Sequence, residues 1–192
     1  MGIFAGLRRG PDRGVRSEWQ ASVRAAGLVP GALLGWERTV DDDYCIASTG
    51  LLSISIGTPG ALTWRHIGWH LIERGGYDRD TATLHWQLYD EGNGPESGAV
   101  RLKDPGRLPG IFRDRVAASI AFEQFIGLDG ARQVKGVEAG VIVSGRRDLS
   151  RPDSDISWHA SVPRGIDWNV PGLRELADTA IIRLKSEYDP NS

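Results

Sequence analysis

From Leu33 to about Leu102 the chain is punctuated by clusters of turn-forming residues, the first three of them 8 positions apart, a pattern that favours many short strands. The marks are Asp41-Asp42-Asp43, Thr49-Gly50, Gly57-Thr58-Pro59-Gly60, Asp78-Arg79-Asp80-Thr81 and Gly92-Asn93-Gly94-Pro95. Between them Leu33–Val40, Tyr44–Ser48 and Leu51–Ile56 read as strands. In the last of these, Leu52, Ile54 and Ile56 alternate with Ser53 and Ser55. Val100 and Leu102 lie in a closing strand. The 25 Gly and 10 Pro agree with a fold of many turns, and the count of about seven short strands points to a sandwich or small barrel.

The centre of this region, Leu62–Trp86, holds three of the seven Trp and three of the four His. Its β-branched and aromatic density, with Leu84, Trp86 and Leu88 alternating against His85, Gln87 and Tyr89, predicts two strands joined by a turn. Asp78 to Thr81 supplies the turn, and Gly75-Gly76 predicts a bulge or kink just before it. His66 and His70 are spaced as a metal pair would be on a helix. On a strand they stand roughly 13 Å apart, too far to share one ion, so they read as two polar positions on a sheet face.

After Asp104-Pro105-Gly106 a helix is predicted from about Pro109 to Ile126, its second half apolar on nearly every side and so buried on more than one face. A β-β-α unit follows. Val134–Ser144 is its first strand, Gly145–Asp155 an exposed loop, and Ile156, Trp158, Ala160 and Val162 mark its second strand. Asn169 and Pro171 predict the start of a helix whose stripe is Leu173, Leu176, Ala177, Ala180, Ile181, Leu184 and Tyr188. Two strands do not support such a helix alone, so this unit should dock on what precedes it.

Residues 1–29 form a separate segment. Arg8, Arg9, Arg13, Arg16 and Arg24 against Asp12 and Glu18 give +3 here, and the total of -2 leaves -5 for the rest. Ile3, Phe4 and Leu7 ahead of Arg8 and Arg9 have the pattern of a weak membrane-surface contact, set against a frayed terminus. Gly6 occupies the position where myristoylation favours Ser or Thr. Ser17 to Ala26 predicts a helix capped by Ser17, with Trp19, Val23 and Ala26 on one side. The expected division is therefore 1–29, 30–127 and 128–192.

Short antiparallel strands closed by one C-terminal helix resemble a pleckstrin-homology-like (PH-like) domain, over about Leu33 to Ile126. Trp64-Arg65-His66-Ile67, Tyr77-Asp78 and Ala82-Thr83-Leu84 look similar to the middle strands of bacterial PH-like proteins. With Asp104-Pro105-Gly106-Arg107-Leu108 and Arg113-Asp114-Arg115-Val116 they also resemble a family of actinobacterial proteins for which no activity is established. The resemblance implies an α+β chain: a seven-strand antiparallel PH-like barrel or sandwich closed by a helix, with the small β-β-α unit docked on it. It also implies a module that binds lipid headgroups, peptides or proteins. Headgroup binding at the first strand loop would need Lys and Arg, and Asp41-Asp42-Asp43 stand there instead.

Function is read by elimination. The Asp41–Asp43 run lacks the alternate spacing of a calcium loop and reads as a solvated hairpin tip. Gly57-Thr58-Pro59-Gly60 has no following Lys-Ser/Thr, so it is no phosphate loop, and no nucleophile elbow is present. Cys45 is the single cysteine, so no internal disulfide forms, and its place beside Ile46 reads as core. His85 or His159 could be paired with a carboxylate, as in almost any protein. The expectation is a non-enzymatic scaffold in the cytoplasm, without metal, cofactor or nucleic acid, engaging a protein partner. Its surface would be the groove beside the helix at 109–126 or an exposed edge strand, with Trp69 and Trp168 as candidate contacts. A barrel holding a small apolar ligand and an unrecognised hydrolase are the alternatives.

Overall fold

A computed structural model of the chain describes residues 11–90, 94, 96–129, 133–134, 136–151 and 153–188. It is an α+β protein of three helices and several antiparallel sheets. The first helix, α1 (Arg13–Ala25), starts four residues earlier than expected because Asp12, not Ser17, caps it: the Gly14 amide donates to Asp12 Oδ1 at 3.0 Å. Val15, Trp19 and Val23, spaced i, i+4, i+8, are its buried stripe.

That stripe packs on a four-stranded sheet of β1 (Leu33–Arg38), β2 (Tyr44–Ser48), β3 (Leu51–Ile56) and β4 (Thr63–Gly68), in that spatial order. Every residue of β2 is buried, since Tyr44 and Ile46 meet α1 while Cys45 and Ala47 face the main core. α1 therefore shares a buried core with this sheet.

The predicted hairpin is there, but the Trp-rich stretch supplies three strands. After β4 a 3-10 turn, Trp69–Leu71, carries the chain into a second sheet of β5 (Ile72–Asp78), β6 (Thr83–Leu88) and β7 (Ser97–Arg101). Asp78 Oδ1 accepts from the Asp80 and Thr81 amides at 2.8 and 3.1 Å and so shapes the turn. The register shift lies between Ile72 and Arg74, ahead of the predicted glycines. Gly75 serves packing instead: a Cβ there would come within 2.7 Å of the Phe112 ring.

The two sheets are not closed into a barrel. At one corner the 3-10 turn interrupts the ladder; at the other, Thr39 and Leu102 form a single bridge. Over the core between them lies α2 (Leu108–Ser119), with Leu108, Ile111 and Phe112 buried.

The expected helix to Ile126 is corrected here. At Ile120 the backbone turns extended, and β8 (Ile120–Gly127) follows. The run looked apolar on every side because a helix stripe was continued by a strand rich in β-branched and aromatic residues. The main sheet of the second unit accordingly has three strands. β8 and β12 (Ser157–Ser161) flank β11 (Gly140–Arg146), and α3 (Leu173–Tyr188) covers one face with Leu173, Ala177, Ala180 and Leu184. A short ribbon of β9 (Gln133–Val134) and β10 (Val137–Glu138) precedes β11. Gly145 and Arg146, expected in an exposed loop, end the central strand and are buried.

The cores of the two units are separate. The second is built wholly from residues at or beyond Phe122, and Leu149 is the one residue from beyond α2 packed on the first main core. The chain passes from the helix over the first core to the first strand of the second sheet between Ser119 and Ile120.

Candidate functional site

Sequence-predicted residues are largely consumed by packing. Ile3, Phe4, Leu7, Arg8 and Arg9 lie outside the described residues. Trp69 is no surface contact: it is fully buried, donates from Nε1 to the Ser48 carbonyl at 3.1 Å and meets the Phe112 ring edge-on. Trp168 is half-buried under the Arg174 guanidinium, 5.6 Å from its ring centre. Asp42 sits at the hairpin tip with φ 67° and pairs with Arg38 and Lys103, the Lys103 contact above all holding its carboxyl below the ordinary range. Burial pushes the Cys45 thiol up to about 12, far from nucleophilic. Among the described residues no group of three or more His, Cys, Asp or Glu is placed to hold a metal ion.

His66 and His70 do not act as a pair. The His66 ring bridges Ser53 Oγ at 2.9 Å and Ser22 Oγ at 3.0 Å. Trp19 Nε1–H donates to the same Ser53 oxygen at 3.0 Å. Ser53 is fully buried, and its own proton needs an acceptor. His66 Nδ1 is the acceptor within reach, so His66 carries its proton on Nε2 and donates it to Ser22. Ser22 therefore faces an N–H rather than a base, the wrong polarity for an activated nucleophile. Burial lowers the His66 pKa and keeps the ring neutral. His70 instead faces Asp148, with Nδ1 to Oδ1 at 3.5 Å.

At the junction of the units Arg146, 2% exposed, reaches from β11 into the first unit. It donates to Tyr89 Oη at 2.9 and 3.3 Å, to Ser119 Oγ at 3.0 Å, and to the carbonyls of Val116 and Ile72 at 3.3 Å. All these acceptors are neutral. The His159 ring stacks on Tyr89 at 4.2 Å. Burial, then the Arg146 guanidinium and His70, push its pKa down to about 4, so it adds no second charge.

Two of the concavities among the described residues measure about 870 Å³. One is a cleft between β5–β7 and the second unit. Its charged groups are in part already engaged: Glu73 accepts from Arg74 and, at 3.1 Å, from Gln87, and Glu123 accepts from Ser144 at 3.2 Å. The other is a groove along β1. One wall is the consecutive run Gly31 to Glu37, and the rest is Arg16 of α1 with Gly106, Arg107 and Leu108 at the start of α2. β1 pairs with β2 over its length, and its other edge meets a strand neighbour among the described residues only at Thr39. A register shift between Leu33 and Gly35 bends the strand beside the groove. Arg16 and Arg107 are exposed, and among the described residues neither is in an ion pair. Glu37 is buried and engaged within the protein.

Of the two surfaces expected, a groove beside the helix at 109–126 or an exposed edge strand, this groove follows the edge of β1 and meets α2 only at its first residue, Leu108. Arg16 and Arg107 were visible only as two of many basic residues, and Arg146 only as a charged residue of the loop expected at Gly145–Asp155. No family model, curated protein or solved structure matches the chain. Among the described residues no helix is long and apolar enough to cross a membrane.

Proposed function

We propose that this chain is a non-catalytic adaptor whose first unit, a PH-like module, holds a segment of a partner protein in the groove along β1. Support for the PH-like reading comes from the strand order, four then three in two antiparallel sheets, followed by one helix over the core. The observation that carries the partner-binding reading is the edge of β1, which beyond the Thr39–Leu102 bridge has no strand neighbour among the described residues and faces a groove large enough for several side chains. A cytoplasmic setting suits the single buried cysteine. Linear peptides selected from a random display library against the full chain supply the test, read by amide shifts in heteronuclear NMR. Binding should shift the amides of Ala32–Glu37 and Gly106–Leu108. Shifts confined to the cleft between the units would assign binding elsewhere and defeat the proposal.

A further inference from the structure

Resting on that reading of the groove, we infer what occupies it: an extended, acidic segment of a partner protein, which adds to β1 as a fifth strand of the first sheet and sets carboxylates against Arg16 and Arg107.

The extended form follows from the wall. Seven consecutive residues, Gly31 to Glu37, line the groove, and the five from Leu33 on belong to β1, so its wall is mainly one strand seen along its edge. Such an edge presents alternating amide and carbonyl groups, and a neighbouring backbone meets them only if it is itself extended, at about 4.8 Å. A helix has satisfied its own backbone groups and leaves the edge bare.

The acidic character follows from charge. Two arginines from different elements line the groove, both exposed and neither ion-paired among the described residues. The third charged group is Glu37, buried and engaged within the protein, so it disfavours a partner carboxylate only at its own end. Carboxylates therefore belong opposite Arg16 and Arg107, where bidentate pairing is available to each. A basic or neutral segment would leave both guanidiniums uncompensated at a surface that loses water on docking.

The test uses the full chain, the peptide library above and the double substitution Arg16→Glu with Arg107→Glu. Both side chains are exposed, so folding should be untouched. Selected peptides should be rich in Asp and Glu and bind more weakly as salt rises. They should lose about tenfold or more in affinity to the double variant, and Lys-substituted peptides should recover it there. N-methylation at alternate peptide residues should abolish binding, and at the intervening residues spare it. Peptides that shift the β1 amides but are neutral or indifferent to the charge reversal would overturn the acidic occupant and leave the groove as a docking site. Peptides that never touch β1 would overturn both. Charge-dependent binding to vesicles containing phosphatidylglycerol, without peptide binding, would make the occupant a membrane. Concentration-dependent self-association with the same shifts would make it a second copy; either result sinks the inference.

Discussion

The α1 helix and the second unit are both attached to the first unit's sheets through a buried polar chain, yet the two attachments differ in kind. Beneath α1 the chain Trp19–Ser53–His66–Ser22 is neutral throughout and lies beside a large apolar contact, with Val15, Trp19 and Val23 essentially inaccessible. Each such side chain contributes about 1.5–3 kcal/mol by leaving water. The hydrogen bonds there fix which turn of the helix meets which strand, and the apolar area supplies most of the attraction. At the second unit the proportions are reversed. Leu149 is the single apolar side chain carried across into the main core, while a guanidinium is wholly buried among neutral acceptors. A buried cation is costly unless nearly every N–H is satisfied, so this contact tolerates few geometries. Gly50 adds to that restriction, because a Cβ there would stand 2.9 Å from the Ser150 backbone. Apolar contacts hold; the charged one selects an arrangement.

That contrast is most severely tested at Arg146. Arg146→Met should cost about 3 kcal/mol or more in urea unfolding, since it removes the donor to the Tyr89 and Ser119 oxygens and the Ile72 carbonyl, while the Val116 carbonyl keeps the Ser119 hydroxyl. It should also split the transition, with the second unit's Trp158 environment lost first. A loss below about 1 kcal/mol with one transition would mean the guanidinium is not what joins the units.

At the neutral chain, Ser53→Ala should cost less, about 1–3 kcal/mol, by leaving Trp19 Nε1 and His66 Nδ1 without partners. The transition should stay single, because α1 shares its core with the sheet; a separate early transition for α1 would contradict the apolar account.

Acid should separate the two attachments further. Both His66 and His159 have pKa values below the ordinary imidazole value near 6.5, so the unfolded chain binds more protons than the folded one as pH drops beneath about 6.5. Their stabilising contribution is complete above that pH. It declines as pH falls, for His159 until about 4. Denaturation midpoints measured from pH 7 to 4.5 should fall, and His159→Phe should flatten the part of that fall that reports the second unit. A variant with unchanged pH slope would place the titration elsewhere.

The smallest effect is expected at Ser22→Ala, about 0.5 kcal/mol by urea midpoint, because water can take up the His66 Nε2–H at the half-buried end of the chain. A cost as large as that of Ser53→Ala would show that the outer end is as closed as the inner.

Local patterning announced most elements. The alternation at Leu52–Ile56, the Asp78 turn and the α3 stripe each depend on neighbours within a few positions, and each stands where its pattern placed it. The boundary at Ser119 was illegible because a helix and a strand of similar apolar content abut without a Gly or Pro between them. An exposed edge strand was one of two surfaces the sequence offered, but the residues of this groove were not legible, since Arg16 and Arg107 lie far apart in the chain.

By itself, then, the order of residues determined where extended and helical backbone forms, which faces are apolar, and that one cysteine leaves no disulfide to staple the fold. Tertiary structure alone decided that β4 and β5 part into different sheets, that Arg146 is sealed inside while Arg16 and Arg107 stay in water, and that one edge of β1 faces a groove. The reason is range. Periodicity and turn chemistry act over a few residues, whereas pairing, the desolvation of a charge and the shape of a groove are set by segments brought together from across the chain.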